Sequence, residues 1–157
     1  MKVQWKALAI SLAVSLGTGF LSSLLTPNIR EEYAQLYQPP LAPPGWVFPV
    51  VWTVLFLLMG LAAFVVYDSN ASAEEKKQAL ILYGVQLFFN LGWSVLFFRL
   101  HAYLPAFLWL IILWFLVFML IKRFGALDEL AGKLLIPYLL WLTFAAYLNL
   151  SIALYYL

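Results

Sequence analysis

The chain has no cysteine, a single histidine, and charge on only 10% of its 157 residues. Without cysteine there is no disulfide framework, no thiolate metal site and no cysteine nucleophile. One histidine and seven carboxylates argue against a His/carboxylate metal centre. Nine Lys and Arg against seven Asp and Glu leave a formal net charge of +2, too weak a field for a nucleic-acid binder. Disorder needs low hydrophobicity and high charge, whereas 66% of this chain is hydrophobic. Soluble domains run at about 45–50% apolar and about 25% charged, so the remaining class is an integral membrane protein. Aromatics are abundant, with thirteen Phe, nine Tyr and seven Trp making up 18%.

The few charges mark out five apolar runs: Ala7 to Leu25, Trp46 to Tyr67, Ala79 to Phe98, Tyr103 to Ile121 and Leu134 to Leu157. No Lys, Arg, Asp, Glu or His interrupts any of them. Each is about 19–24 residues long, and a helix needs about 20 to cross the hydrocarbon core. Membrane strands would be shorter and would alternate polar with apolar residues. The expected fold is all-α, a single transmembrane domain over 1–157 built as one bundle of five helices. Lys2 and Lys6 ahead of the first run also suit a signal peptide, but the run is long. No small-x-small cleavage site ends it before Leu24-Leu25-Thr26-Pro27, so it is read as a retained helix.

Lys2, Lys6, Lys76, Lys77, Lys122, Arg123 and Lys133 fall on one side of these spans, and Arg30 and Arg99 on the other. The positive-inside rule then puts the N-terminus in the cytoplasm and the C-terminus outside. Most connections are short, which favours antiparallel neighbours. Pro27 to Gly45 is the exception. Its start, Arg30 to Tyr37, has the composition of a short helix. Its end, Pro39-Pro40-Leu41-Ala42-Pro43-Pro44-Gly45, must be extended, because Pro lacks an N–H and restrains its predecessor. Long structured loops in compact proteins are usually lids or binding segments.

Membrane pumps driven by titration keep a carboxylate, His or Arg at depth; these runs hold none. A Ser-His-Asp set or a carboxylate pair cannot assemble there either. The polar groups within the spans are amides and aromatics. Gln86 and Asn90 lie four residues apart on one helix face, with Tyr83, Trp93 and Phe97 on or near it. Amides in hydrocarbon need partners, so this face should look inward, either to bond a neighbouring helix or to meet a ligand. Trp52, Phe56, Met59 and Ala63 repeat the helical spacing on the second span, and Tyr138, Trp141, Ala145 and Asn149 on the fifth. Aromatics so spaced are ordinarily core or lipid contact, and Trp5, Trp46, Tyr67, Tyr155 and Tyr156 suit interfacial anchors. Trp52, Trp93 and Trp141 lie inside their spans beside small residues or amides. Three inward indoles with space beside them suit a flat, largely apolar ligand. Pro49 and Pro137 are either ordinary helix starts or bends that open a cavity. Gly84 and Gly92 mark either close internal packing or a dimer face.

The segment Pro39 to Phe56, with Gly45-Trp46-Val47-Phe48-Pro49 and Trp52, resembles the signature of the tryptophan-rich sensory protein/translocator protein family (TspO/MBR, peripheral benzodiazepine receptor). Gln86-Leu87-Phe88-Phe89-Asn90-Leu91-Gly92-Trp93 is similar to that family's third helix, and Pro137 to Asn149 to its fifth. The resemblance implies a five-helix bundle, often a homodimer, with a pocket under the first loop. It implies binding of porphyrins such as protoporphyrin IX and haem, and of benzodiazepine-type ligands, with no intrinsic cofactor. The family's pocket residues fall on Trp52, Phe56, Asn90, Trp93, Trp141 and Ala145, with Tyr33 completing the lid. Two positions depart from the pattern: Glu32 and Leu41 stand where many members carry Trp. The sterol-associated pattern of the C-terminal region needs Tyr followed by Lys or Arg, and none follows Lys133.

Three functions are compatible with these residues. One is a sensor or carrier that binds tetrapyrroles through the Trp/Phe/Asn set, with Arg30 near the ligand's carboxylates. Another is an enzyme that breaks down bound porphyrin with light and oxygen, with Trp52 and Trp141 as the candidate catalytic indoles. The last is facilitated transport gated by the lid.

Overall fold

Backbone polar groups in hydrocarbon must be satisfied within their own segment, so apolar runs of this length become helices. The computed structural model describes residues 4–157, all helix, turn and loop; Lys2 lies outside the described residues. The elements are α1 (Trp5–Leu25), α2 (Ile29–Gln35), α3 (Val47–Tyr67), α4 (Ala73–Ser94), α5 (Tyr103–Leu127), α6 (Glu129–Leu134) and α7 (Ile136–Tyr155). A π-helical turn, Val95–Arg99, extends α4. Among the described residues, five helical spans are long and apolar enough to cross a membrane, the fifth taking α6 and α7 together. The chain is an integral, multi-pass membrane protein.

Local chemistry moves several ends away from the apolar runs. The third helix begins at Ala73, six residues before its apolar run. There Ser72 caps it by accepting from the Glu75 amide at 3.2 Å, and Glu74 and Glu75 sit in the positive first turn. The fourth continues past Ile121 to Leu127. The fifth span begins as the short α6, whose cap is Asp128, accepting from the Leu130 amide at 2.9 Å. Pro137 and Pro49 both lie in first turns, where a missing N–H leaves no bond unmade. They are ordinary helix starts.

Packing follows the small residues. α1 and α3 run antiparallel in close contact, with Ser11 Oγ donating to the Gly60 carbonyl at 2.6 Å. A Cβ at Gly60 would meet Ser15 Oγ at 2.6 Å and the Leu12 side chain at 2.9 Å. On α4, Gly92 takes the Trp109 ring of α5, which a Cβ would meet at 2.6 Å. Gly92 therefore serves internal packing, whereas nothing lies within 4 Å of a Cβ at Gly84. α5 supplies the densest stripe, with Ala106, Leu110, Leu113, Val117, Leu120 and Phe124 all fully buried. It packs on α4 and α7, while the backbones of α3 and α7 barely approach one another. The fully buried Tyr138 fills the gap between them at mid-depth. Its hydroxyl accepts from Asn90 Nδ2 and donates to Gln86 Oε1, both at 2.8 Å. Above Tyr138, towards the first loop, the gap stays open.

Candidate functional site: an aromatic cavity beneath the first loop

The open gap is a cavity of about 510 Å³ between α1, α3, α4 and α7, closed on one side by α2 and the start of α3. All seven residues singled out from the sequence, Tyr33, Trp52, Phe56, Asn90, Trp93, Trp141 and Ala145, line it. Trp52 lies 6.4 Å from Trp93, 5.7 Å from Phe56 and 6.3 Å from Tyr138, ring centre to ring centre. Phe48 meets Trp141 edge-on at 5.8 Å and Tyr33 at 4.6 Å, joining the lid to the far wall.

The amides divide their work. Gln86 is wholly buried, spends its oxygen on Tyr138 and directs its nitrogen to Met59 Sδ at 3.9 Å. It bonds neighbouring helices and does not line the cavity. Asn90 does both, since Tyr138 takes its nitrogen and its carbonyl oxygen accepts from no described residue. Trp93 donates its indole N–H to Asn149 Oδ1 at 2.9 Å. Trp141 differs, because its Nε1 is buried with no partner among the described residues. The ring of Trp141 lines the cavity, whereas its N–H is shielded from it.

The lid is built as the proline run demands. The chain turns at Pro40-Leu41, with Ala42 donating to the Pro39 carbonyl at 3.1 Å. Leu41 adopts a φ of 70° and is 83% exposed. Neither Leu41 nor Glu32 lines the cavity, so the two departures from the family pattern leave its wall unchanged. Tyr33 is 5% exposed and donates its hydroxyl to the Pro43 carbonyl at 2.7 Å. Burial pushes its phenol pKa above the usual value. α7 holds the lid from the other side: Tyr147 donates to the Pro40 carbonyl at 2.6 Å, and Tyr156 accepts from the Tyr37 amide at 3.1 Å. Tyr155 stacks on Tyr37 at 4.2 Å. Tyr155 and Tyr156, read from the sequence as anchors, therefore act as lid ties. Trp5, Trp46 and Tyr67 stay exposed at span ends, as anchors do.

Sequence reasoning missed the α1 wall. Gly19, Phe20, Ser22, Ser23 and Thr26 line the cavity without any indole or amide to advertise the face. Gly19 matters by its lack of a side chain, since a Cβ there would meet the Phe56 ring at 2.8 Å. Arg30 and Glu31 stand at the lid end of the lining, the charged rim of an otherwise apolar chamber. No group of three or more His, Cys, Asp or Glu capable of holding a metal occurs among the described residues.

Such a fold and chamber define a polytopic membrane protein with an aromatic cavity beneath its first loop. The chain belongs to the TspO/MBR family, whose model matches residues 9–155. It is 36% identical over 153 residues to the tryptophan-rich protein TspO of Chlorobaculum tepidum, covering 97% of each chain. It is 38% identical over 149 residues to the tryptophan-rich sensory protein of Cereibacter sphaeroides, covering 95% of this chain and 90% of the relative. The translocator protein of Sus scrofa is 34% identical over 146 residues, covering 91% and 85%.

Proposed function

We propose that the protein is a membrane sensor or translocator that binds a flat tetrapyrrole such as protoporphyrin IX in the lidded cavity. The observation that carries this is the wall itself, where Trp52, Phe56, Trp93 and Trp141 converge on one cavity beneath the first loop. A cavity of about 510 Å³ lies within the usual range for small-molecule sites. Trp52, Trp93, Trp141 and Phe56 would pack on the macrocycle, while Arg30 meets carboxylates at the rim. Sensory and translocator roles are those named for relatives. Benzodiazepine-type ligands, flat and aromatic, would compete for the same space. The basic end of the bundle faces the cytoplasm and the lid faces outside, by the positive-inside rule.

Titration of purified protein with protoporphyrin IX, followed by Trp quenching, tests the reading. Saturable quenching is expected from wild type. Trp141→Ala removes one of the wall's rings, so affinity should fall about tenfold, the scale of one lost aromatic contact. Linear, unsaturable quenching that is unchanged in Trp141→Ala would sink the proposal.

A further inference from the structure

We propose that the ligand's buried edge, the one opposite its carboxylates, carries a hydroxyl, and that a relay of bonds from Met59 to Asn90 sets this requirement. The inference rests on the tetrapyrrole reading above and narrows it to hydroxyalkyl members of that class. Asn90 stands at the cavity floor beside Tyr138, away from the lid end where Arg30 lies. With the carboxylates at Arg30, the opposite edge of the macrocycle points down at Asn90.

The polarity of the relay is set at its far end. Met59 and Gln86 are wholly buried. A thioether sulphur accepts and cannot donate, so Gln86 turns its Nε2 to Met59 Sδ, at 3.9 Å. Its Oε1 then faces Tyr138 and accepts from that hydroxyl at 2.8 Å. Having given its one proton, Tyr138 can only accept, and Asn90 meets it with Nδ2, again at 2.8 Å. The Asn90 oxygen is what remains for the cavity. Reversing the whole chain would set the Gln86 oxygen against the sulphur. Met59, Gln86 and Tyr138 do not line the cavity, so they act as positioning residues.

Asn90 is 3% exposed overall, but its oxygen is not shielded as the Trp141 nitrogen is. No described residue donates to it: Trp93 gives its N–H to Asn149, and Trp52 makes no bond to it. Water serves such an oxygen while a cavity is open, and a ligand that expels the water without replacing its bond loses affinity. A site that presents a buried acceptor therefore discriminates against the analogue that lacks the donor. An ethyl or vinyl edge packs on Trp52 and Phe56 and leaves the oxygen bare. A hydroxyethyl edge packs equally and meets it.

Haematoporphyrin and mesoporphyrin IX are the probes, since they share ring and propionates and differ only in the hydroxyls on their ethyl groups. Each is titrated by Trp quenching into the full-length protein in nanodiscs, corrected for partition into empty nanodiscs. Wild type should bind haematoporphyrin about fivefold more tightly. Asn90→Ala removes the acceptor and should abolish the preference. Met59→Leu keeps the volume and removes the group that orients the relay, and Tyr138→Phe cuts it. Both should bring the two affinities towards parity by weakening haematoporphyrin, whereas a merely structural role would weaken both porphyrins together. Equal affinities in wild type, or a preference that survives Asn90→Ala, would overturn the proposal and leave the tetrapyrrole reading standing. A preference unchanged in both Met59→Leu and Tyr138→Phe would overturn the relay. Saturable binding of neither porphyrin would sink the tetrapyrrole reading and this inference with it.

Discussion

Trp93 and Asn149 join α4 to α7 across the cavity, indole N–H to amide oxygen at 2.9 Å. Asn149 passes the link on, donating its own nitrogen to the Tyr103 carbonyl at the start of α5 at 2.9 Å. One amide thus fixes three helices around the chamber and sets the plane of the Trp93 ring. Asn149→Leu keeps the volume and removes both bonds. Thermal unfolding in detergent should show a loss of about 1 kcal/mol, the scale of interhelical hydrogen bonds in membranes. Trp93, released from its partner, should also change its emission. A variant with wild-type stability and emission would show that the bond does not hold the ring.

Two glycines on α4 separate packing from propensity. A Cβ at Gly92 would meet the Trp109 ring at 2.6 Å, and that ring is held by its own N–H donation to the Phe89 carbonyl at 2.7 Å. The ring cannot yield without losing its bond. Gly92→Ala should therefore destabilise the bundle by about 1–3 kcal/mol, as overpacking does. Gly84→Ala meets nothing within 4 Å. It should be neutral or stabilising by up to about 1 kcal/mol through helix propensity. Chemical unfolding of the two variants side by side reads the difference, and equal effects would discredit the packing assignment.

The contrast between these glycines also marks what sequence could convey. Charge-free runs located all five spans, because burying a charge in hydrocarbon is costly. Amides and indoles on shared helix faces pointed to six cavity residues for a similar reason, that a polar or half-polar group at depth has few places to go, whereas Tyr33 came only from the family resemblance. The α1 wall carries no amide or indole, and its serines can bond their own helix backbone, so Gly19, Ser22 and Ser23 were silent. Gly92 and Gly84 are the same letter on one helix, and only the neighbour across the interface distinguishes them. The lid ties were hidden by distance. Tyr147 meets Pro40 and Tyr156 meets Tyr37 across more than a hundred residues. A terminal tyrosine pair reads equally well as an interfacial anchor. The π-helical turn at Val95–Arg99 had no sequence signal at all.

Those ties make the lid testable. Tyr147→Phe removes the bond to the Pro40 carbonyl and nothing else. Ligand already in the cavity should then escape about three- to tenfold faster in a chase experiment, with little change in overall stability. Tyr33 supplies the tie on the other side, to Pro43. Its phenol is raised by burial, so the proton it donates is present at neutral pH and below the usual tyrosine value. The stability it lends is complete below the unfolded-state value of about 10 and declines as pH rises through the higher folded value. Release rates through this tie should be flat from neutral pH to about 10 and rise only above it. A rise centred near pH 7 would assign the gating to another group.

Iron should matter little to binding. Haem proteins hold the metal through axial His, Met, Cys or Tyr ligands. The cavity lining contains no His, Met or Cys, and His101 lies outside it. Tyr33 is the one phenol in the lining, and its hydroxyl is committed to Pro43. Affinity for the proposed ligand therefore rests on stacking, which acts on the ring and ignores the metal. Protoporphyrin IX should bind within about threefold of haem, a difference under 1 kcal/mol. Bound haem should show no absorption shift of the kind that two strong axial ligands produce. A phenolate-to-iron charge-transfer band that is lost in Tyr33→Phe would show that the lid opens its bond to Pro43 and turns the phenolate onto iron, reversing the assignment of Tyr33 from tie to ligand.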